Sequence, residues 1–356
     1  MSKLKVAVYT MAKNEAAHVA RYVESTRGAD YVCITDTGST DGTPDLLRAA
    51  GALVHHATIA PWRFDLASNV ALAMVPADVD CCIKLDLDEV LTPGWREELE
   101  QLWVGDVNRL AYWYTWSWHA PGVPAAKMTM DNIHARSGFH WRHPGHTVLS
   151  SSRPQHRARA SRLEIHHFMV EKQRPNYIEL LELGVQESRC ARTLFYLGRE
   201  YFLQQQPARA VRMLEEFLKA EDATWKAQRA AAMRLIALCH QGAQRFEVAL
   251  SWLLRANAER PGTRELWYEI LRHLTLLNDW DGGYWAAKRC LAIVDRDPEF
   301  CVPNGDAWFD RPFEFAATCA WRTGRRDEAV LYINEALRLN PHSSTLPSLA
   351  AEFGAR

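Results

Sequence analysis

The chain has 356 residues, 48% of them apolar and 24% charged, enough for one large or two ordinary domains with cores of their own. Lys and Arg number 42 against 43 Asp and Glu, a formal net charge of −1. That balance excludes a polybasic nucleic-acid coat or a general membrane-surface binder, while local patches stay open. No apolar run approaches the roughly 20 residues a bilayer needs, so no transmembrane helix is expected. The stretch Lys5–Tyr9 is too short for a signal-peptide core and lacks a small-residue cleavage site.

Up to about residue 175, short apolar runs alternate with polar turns. Val6–Tyr9, Tyr31–Thr35, Ala52–His55 and Cys81–Leu85 read as buried strands. Between them lie helix-compatible stretches. Glu15–Ser25 carries Val19, Tyr22 and Val23 on one face, Thr43-Pro44 opens a helix to Ala50 closed by Gly51, and Leu66–Met74 is a third. Strand and helix in alternation predict an α/β layer with a mainly parallel sheet. From about residue 176 the strands stop and a helical-repeat period begins. Leu197-Gly198, Tyr201, Ala210 and Asp222 match one tetratricopeptide register. Ala249 with Pro261, Ala286 with Pro298 and Ala329 with Pro341 repeat its twelve-residue offset, at starts 39, 37 and 43 residues apart. Four degenerate hairpins predict a solenoid in which each pair buries its face on the next. The eight cysteines form no CxxC pair and read as reduced, buried thiols of a cytoplasmic protein.

Three features of the first half carry chemistry. Asp86-Leu87-Asp88-Glu89 follows the strand Cys81–Leu85, and carboxylates at i and i+2 on a strand end share a face on which one hard divalent cation can sit. A solvated acidic turn is the plainer reading of those four residues. Two polar loops, Thr10–Glu15 and Asp36–Thr43, follow the first two strands, where open α/β sheets bind ligands. Asp36 stands where a base or ribose could donate to it, and Gly38 and Gly42 allow close backbone approach. No P-loop or GxGxxG is present, which argues against a P-loop kinase and a Rossmann dehydrogenase. Third, His134, His140, His143, His146, His156, His166 and His167 fall within 134–174, a window with eight Arg/Lys against two acids, suited to a diphosphate or another anion.

In this order, strand–TMAKNE, strand–DTGSTDGT and WRFDLASNVAL leading into CCIKLDLDEVL, the first half resembles glycosyltransferase family 2. The whole chain resembles the bacterial and phage branch whose short family-2 domain carries C-terminal tetratricopeptide helices, a layout like that of sublancin-type peptide S-glycosyltransferases. The resemblance implies a GT-A fold, Rossmann-like with a mainly parallel sheet, over residues 1–175, and a TPR-like helical domain over 176–356. It implies a nucleotide-sugar donor, a UDP-sugar, held by Thr10, Lys13, Asn14, Glu15, Asp36, Arg63, Asn69, Lys84 and Asp86. It also implies Mn²⁺ or Mg²⁺ on Asp88, with Asp86 facing ribose or metal and His146 of HWRHPGHTVL completing the shell.

Two departures stand out. Ser68-Asn69 replaces the family's Arg-Asn, with Arg63 nearby as a substitute cation, and His146-Thr147 replaces its His-Glu. An inverting transfer needs a base, for which Asp131, Glu89 and His146 are the candidates. The run Tyr112–Trp118, with Trp141, supplies rings beside this site. Alternation puts Trp116 and Trp118 on one face as an acceptor platform and Trp113 on the other, toward the core; an aromatic core strand is the plainer reading. The implied acceptor is macromolecular, a peptide or protein side chain or a hydroxymethylated pyrimidine in DNA. The repeats would hold that partner or join a homodimer, with no membrane involved. The competing reading is a catalytically degenerate nucleotide-binding scaffold whose repeats bind a protein, for which Ser68 and Thr147 speak.

Overall fold

The computed structural model describes residues 4–168, 177–300 and 304–355. It divides into two compact units: residues 1–117 with 129–189, and 118–128 with 190–356. The boundary expected at 175/176 falls on residues outside those described, and the helix after it, 178–187, belongs to the first unit.

The first unit is built on an eight-stranded sheet. Its strands are β1 (Val6–Ala12), β2 (Tyr31–Asp36), β3 (Leu53–His56), β4 (Cys81–Lys84), β5 (Glu89–Leu91), β6 (Arg109–Ala120), β7 (Val123–Ala135) and, after the separate hairpin β8 (Phe139–Arg142) with β9 (Val148–Ser151), β10 (Arg157–His167). The order is β3-β2-β1-β4-β7-β6-β10-β5. Pairing is parallel from β3 to β4, antiparallel between β4 and β7, parallel between β6 and β10, and antiparallel again at β5. The sheet is therefore mixed, with successive parallel pairs only from β3 to β4. Both faces of that part are covered, which is why β1 and β4 are buried along almost their whole length. β3 is the exception: it is an edge strand, and its Leu53 is exposed rather than buried.

The crossovers are α1 (Val19–Ser25), α2 (Thr43–Ala49) and α3 (Phe64–Ala73), with α4 (Trp95–Leu102) and α5 (Ile178–Glu187) following. Pro44 sits in the first turn of α2, where its missing N–H costs nothing. β10 slips register against β6 between Arg159 and Glu164. The N–H groups freed there, of Ser161 and Arg162, donate to the buried Glu98 carboxylate of α4 at 2.8 and 3.0 Å.

The second unit consists of helices α6 (Ala191–Leu203), α7 (Pro207–Lys219), α8 (Lys226–Gly242), α9 (Phe246–Glu259), α10 (Arg264–Leu276), α11 (Trp280–Ala292), α12 (Asp310–Arg322), α13 (Arg326–Leu339) and α14 (Leu346–Glu352). The first eight pack as four consecutive pairs, each against the next. The four register alanines, Ala210, Ala249, Ala286 and Ala329, are buried on the second helix of each pair. Gly198 shows why small residues are needed: a Cβ there would lie 2.7 Å from Leu214 of α7. The 43-residue spacing is explained by an insertion between α11 and α12, on which the tip of the β6–β7 hairpin, Trp118–Met128, is seated. Arg296 donates to the carbonyls of Ala125 and Pro124 at 2.9 and 3.0 Å, and His119 stacks on Phe309 at 3.7 Å. Among the described residues no helix is long and apolar enough to cross a membrane.

Candidate active site at the carboxyl ends of β1, β2 and β4

β1 lies between β2 and β4, so the chain order reverses at β1/β4, and the polar loops gather at the carboxyl ends of these strands. The loop after β1 is stapled to the loop after β2. Asn14, at φ 57°, accepts the Thr40 N–H at 2.7 Å and donates its own N–H to Ser39 Oγ at 2.9 Å. The Glu15 N–H donates to Thr43 Oγ1 at 2.9 Å, and Lys13 stays exposed. Asp36 is 2% exposed and accepts from Gly38 N–H (3.1 Å), Ser39 N–H (3.2 Å) and the His56 ring (3.2 Å). Burial by itself would raise the Asp36 pKa, but hydrogen bonds from Ser39, Gly38 and His56 hold it below the usual carboxylate value. Its acceptor oxygens serve the turn, so Asp36 shapes the loop rather than reaching out from it. Gly38, at φ +103°, supplies the left-handed residue the turn demands.

Leu85 and Leu87 are buried, while Asp86 and Asp88 are part-exposed in a turn closed by the Glu89 N–H donating to the Asp86 carbonyl at 2.9 Å. The buried Lys84 at the end of β4 contacts Asp86 Oδ1, and its ammonium also donates to Thr10 Oγ1 at 3.0 Å. The Thr10 hydroxyl in turn donates to Asp86 Oδ1 at 2.7 Å. Asp88 faces His167, whose Nε2 lies 3.3 Å from Asp88 Oδ2 and whose Nδ1 lies 3.2 Å from the Trp116 carbonyl. Burial works against ionisation of both groups, but their mutual hydrogen bond and charge prevail: the Asp88 pKa falls and the His167 pKa rises. Trp116 covers the imidazole, stacked at 4.5 Å and 22°, and is itself 45% exposed.

Glu89 begins β5. It accepts the Tyr114 hydroxyl at 2.6 Å and the Asp86 N–H at 2.8 Å. Burial, and after it the Asp86 charge, push its pKa up to about 7, the value that suits a general base near neutral pH.

Other predicted site residues have different surroundings. Arg63 is bound by Asp65 at 2.8 Å and Glu187 at 2.5 Å, a pairing that keeps it firmly protonated. Asn69 uses its amide on the backbone of Trp141, donating to the carbonyl and accepting the N–H, both at 2.8 Å, and Ser68 beside it is buried. Trp141 is 5% exposed and donates its indole N–H to the Tyr9 hydroxyl at 2.8 Å, so it stands in the core and not on a platform. Trp118 is grouped with the second unit, Trp116 with the first. Trp113 is half-buried, with the Arg159 guanidinium 5.4 Å from its ring centre, rather than in the core. Asp131 pairs with Arg109 at 2.8 Å. His146, at φ 49°, has its ring 6.2 Å from that of Tyr177.

The histidine against the acidic pair is His167. Nothing local distinguishes it from its six neighbours in the window; the antiparallel register that sets His167 opposite Glu89 does. Among the described residues no group of three or more His, Cys, Asp or Glu side chains could hold a metal ion. The part-exposed carboxylates of Asp86 and Asp88 are oxygen donors of the kind that serve a hard ion only where it keeps water and takes most of its shell from a phosphate.

Beneath the site runs a buried relay. The Trp141 indole N–H donates to Tyr9, the Tyr9 hydroxyl lies 2.9 Å from His134 Nε2, and His134 Nδ1 lies 2.8 Å from the Ala135 carbonyl. These partners assign the neutral Nδ1–H tautomer. Burial lowers the His134 pKa to about 4. From an ordinary 6.5, the unfolded chain binds the extra proton first as pH falls. Stability is therefore full above about pH 6.5 and drops by about 3 kcal/mol down to pH 4 on account of this group. Urea unfolding at pH 7 and pH 4 should show that increment in the wild type and lose it in His134→Gln.

No family model matches the chain. Over 103 residues, 28% of its length, it is 31% identical to the lipopolysaccharide core biosynthesis glycosyltransferase LpsC of Rhizobium meliloti (strain 1021), of which it covers 37%. Over 99 residues, also 28% of its length, it is 29% identical to an uncharacterized glycosyltransferase of Rickettsia bellii (strain RML369-C), of which it covers 32%. The chain thus spans about a third of the length of the curated relatives it matches. Among solved structures it is similar to MamA (TM-score 0.38, 19% identity, 46% of this chain and 86% of that one) and to Pseudomonas aeruginosa PilF (TM-score 0.40, 16% identity, 49% and 72%). At sequence level, then, what the chain is similar to is two proteins named as glycosyltransferases.

Proposed function

We propose that the chain is a glycosyltransferase that moves a sugar from a nucleotide diphosphate donor, a UDP-sugar, to a macromolecular acceptor. The observation that carries this reading is the convergence of the Thr10, Asp36 and Asp86–Glu89 segments at the carboxyl ends of three parallel strands, beside the point where strand order reverses. The stapled loops after β1 and β2 offer backbone groups to a nucleoside. Asp86 and Asp88, with His167 beside them, are the groups that would hold Mn²⁺ or Mg²⁺. Such an ion supplies Lewis acidity to a leaving diphosphate. Glu89 takes the proton from the acceptor nucleophile as the sugar is transferred, and Tyr114 orients it. The exposed face of Trp116 gives the sugar or the acceptor an apolar surface to lie on.

A thermal-shift panel of nucleotides and nucleotide-sugars, each with and without Mn²⁺, tests the donor. A ligand at about 100 times its Kd adds roughly 2.7 kcal/mol of apparent stability. UDP and one UDP-sugar should stabilise the protein only with metal. No shift with any nucleotide would reject the reading and leave a scaffold that acts through its helices.

A further inference from the structure

We propose that Lys84 is a built-in counter-ion of the acidic pair, which keeps a lone divalent cation off Asp86 until a diphosphate arrives with it; this rests on the nucleotide-sugar reading above. Lys84 ends β4 at the reversal point and is 8% exposed, so its ammonium is committed to the site and not to bulk water. It touches Thr10 Oγ1 and Asp86 Oδ1, and the same Oδ1 also accepts the Thr10 hydroxyl. One oxygen of Asp86 is thus engaged twice by the chain itself. Asp88 meanwhile faces His167. Asp86 therefore has a cation of its own within the chain.

A divalent ion arriving alone meets at Asp86 a carboxylate already paired with an ammonium, and it is repelled by that ammonium. A diphosphate changes the balance. Its oxygens bring negative charge, and the compact, rotatable Lys84 ammonium can turn to them and release Asp86. Cation and nucleotide then bind as a pair, each strengthening the other, and the two affinities are reciprocally linked.

The test is Mn²⁺ titration of the full chain, read from the electron paramagnetic resonance of the free ion, with and without UDP. Lys84→Met keeps the length of the buried stem and removes the charge. It should bind Mn²⁺ alone about tenfold more tightly than wild type, and UDP should improve its Mn²⁺ affinity by a smaller factor. Lys84→Arg keeps the charge and should bind Mn²⁺ alone as weakly as wild type. A merely structural role would leave Mn²⁺ affinity unchanged or weaken it, and either result in folded Lys84→Met overturns the proposal. If Lys84→Met does not fold, Lys84→Gln, which can retain the bond to Thr10, is read in the same way. Tighter Mn²⁺ binding without any response to UDP would sink the donor reading while leaving the counter-ion; UDP synergy that is equal in both proteins would sink only the counter-ion.

Discussion

Replacing Asp88 by Asn should lower sugar transfer by roughly 10³-fold, the several kcal/mol that charge stabilisation at a leaving diphosphate is worth. The folded protein should survive the change. Asp88 is part-exposed, its side chain 32% accessible, and its partner His167 can lose its proton and keep the bond to the Trp116 carbonyl. The asparagine has nearly the same shape, so the expected stability change is within about 1 kcal/mol. Transfer measured with saturating donor, beside a urea midpoint for the same preparation, separates the two. Transfer at the wild-type rate would remove Asp88 from the chemistry. Loss of transfer together with loss of the fold would instead make the Asp88–His167 pair structural. The scaffold alternative differs again, since it expects binding of a protein partner to be indifferent to residue 88.

What could be read in the sequence follows from range. Period-2 burial and turn residues are local, so β1, β2 and β4 and the helices between them were legible, as was the repeat marked by Ala210, Ala249, Ala286 and Ala329. The burial of Leu85 and Leu87 and the partial exposure of Asp86 and Asp88 were legible for the same reason, since apolar and acidic residues alternate there. The β6–β7 hairpin was not. Its strands run for 12 and 13 residues, and nothing in their composition says that the tip packs with the α11–α12 insertion more than 150 residues later, where Arg296 meets Pro124 and Ala125. His167 is a similar case. Seven histidines in one window are equivalent until strand pairing places one of them opposite Glu89, and the family pattern pointed to His146. Arg63 and Asn69 look like free donors in a string of letters; only tertiary contacts reveal that Glu187 and the Trp141 backbone already use them.

At Trp141 a surface role and a core role lead to opposite expectations. As a surface platform its truncation would weaken acceptor binding and leave unfolding untouched. In the structure it is packed with Phe139 and Leu149 on the β8–β9 hairpin, its backbone clamped by Asn69 and its indole donating to Tyr9. Trp141→Ala should therefore cost about 3–5 kcal/mol of stability, the range for emptying a buried aromatic site. Part of that loss falls on the relay, because Tyr9 loses the donor that polarises its bond to His134. Trp141→Phe fills most of the space but has no N–H, so it should recover the packing share and retain the roughly 1 kcal/mol hydrogen-bond share of the loss. Paired urea curves of wild type, Trp141→Phe and Trp141→Ala resolve the two contributions. If Trp141→Ala unfolds at the wild-type midpoint while its KM for the acceptor rises, Trp141 is the platform after all and its burial beside Tyr9 does not describe the working protein.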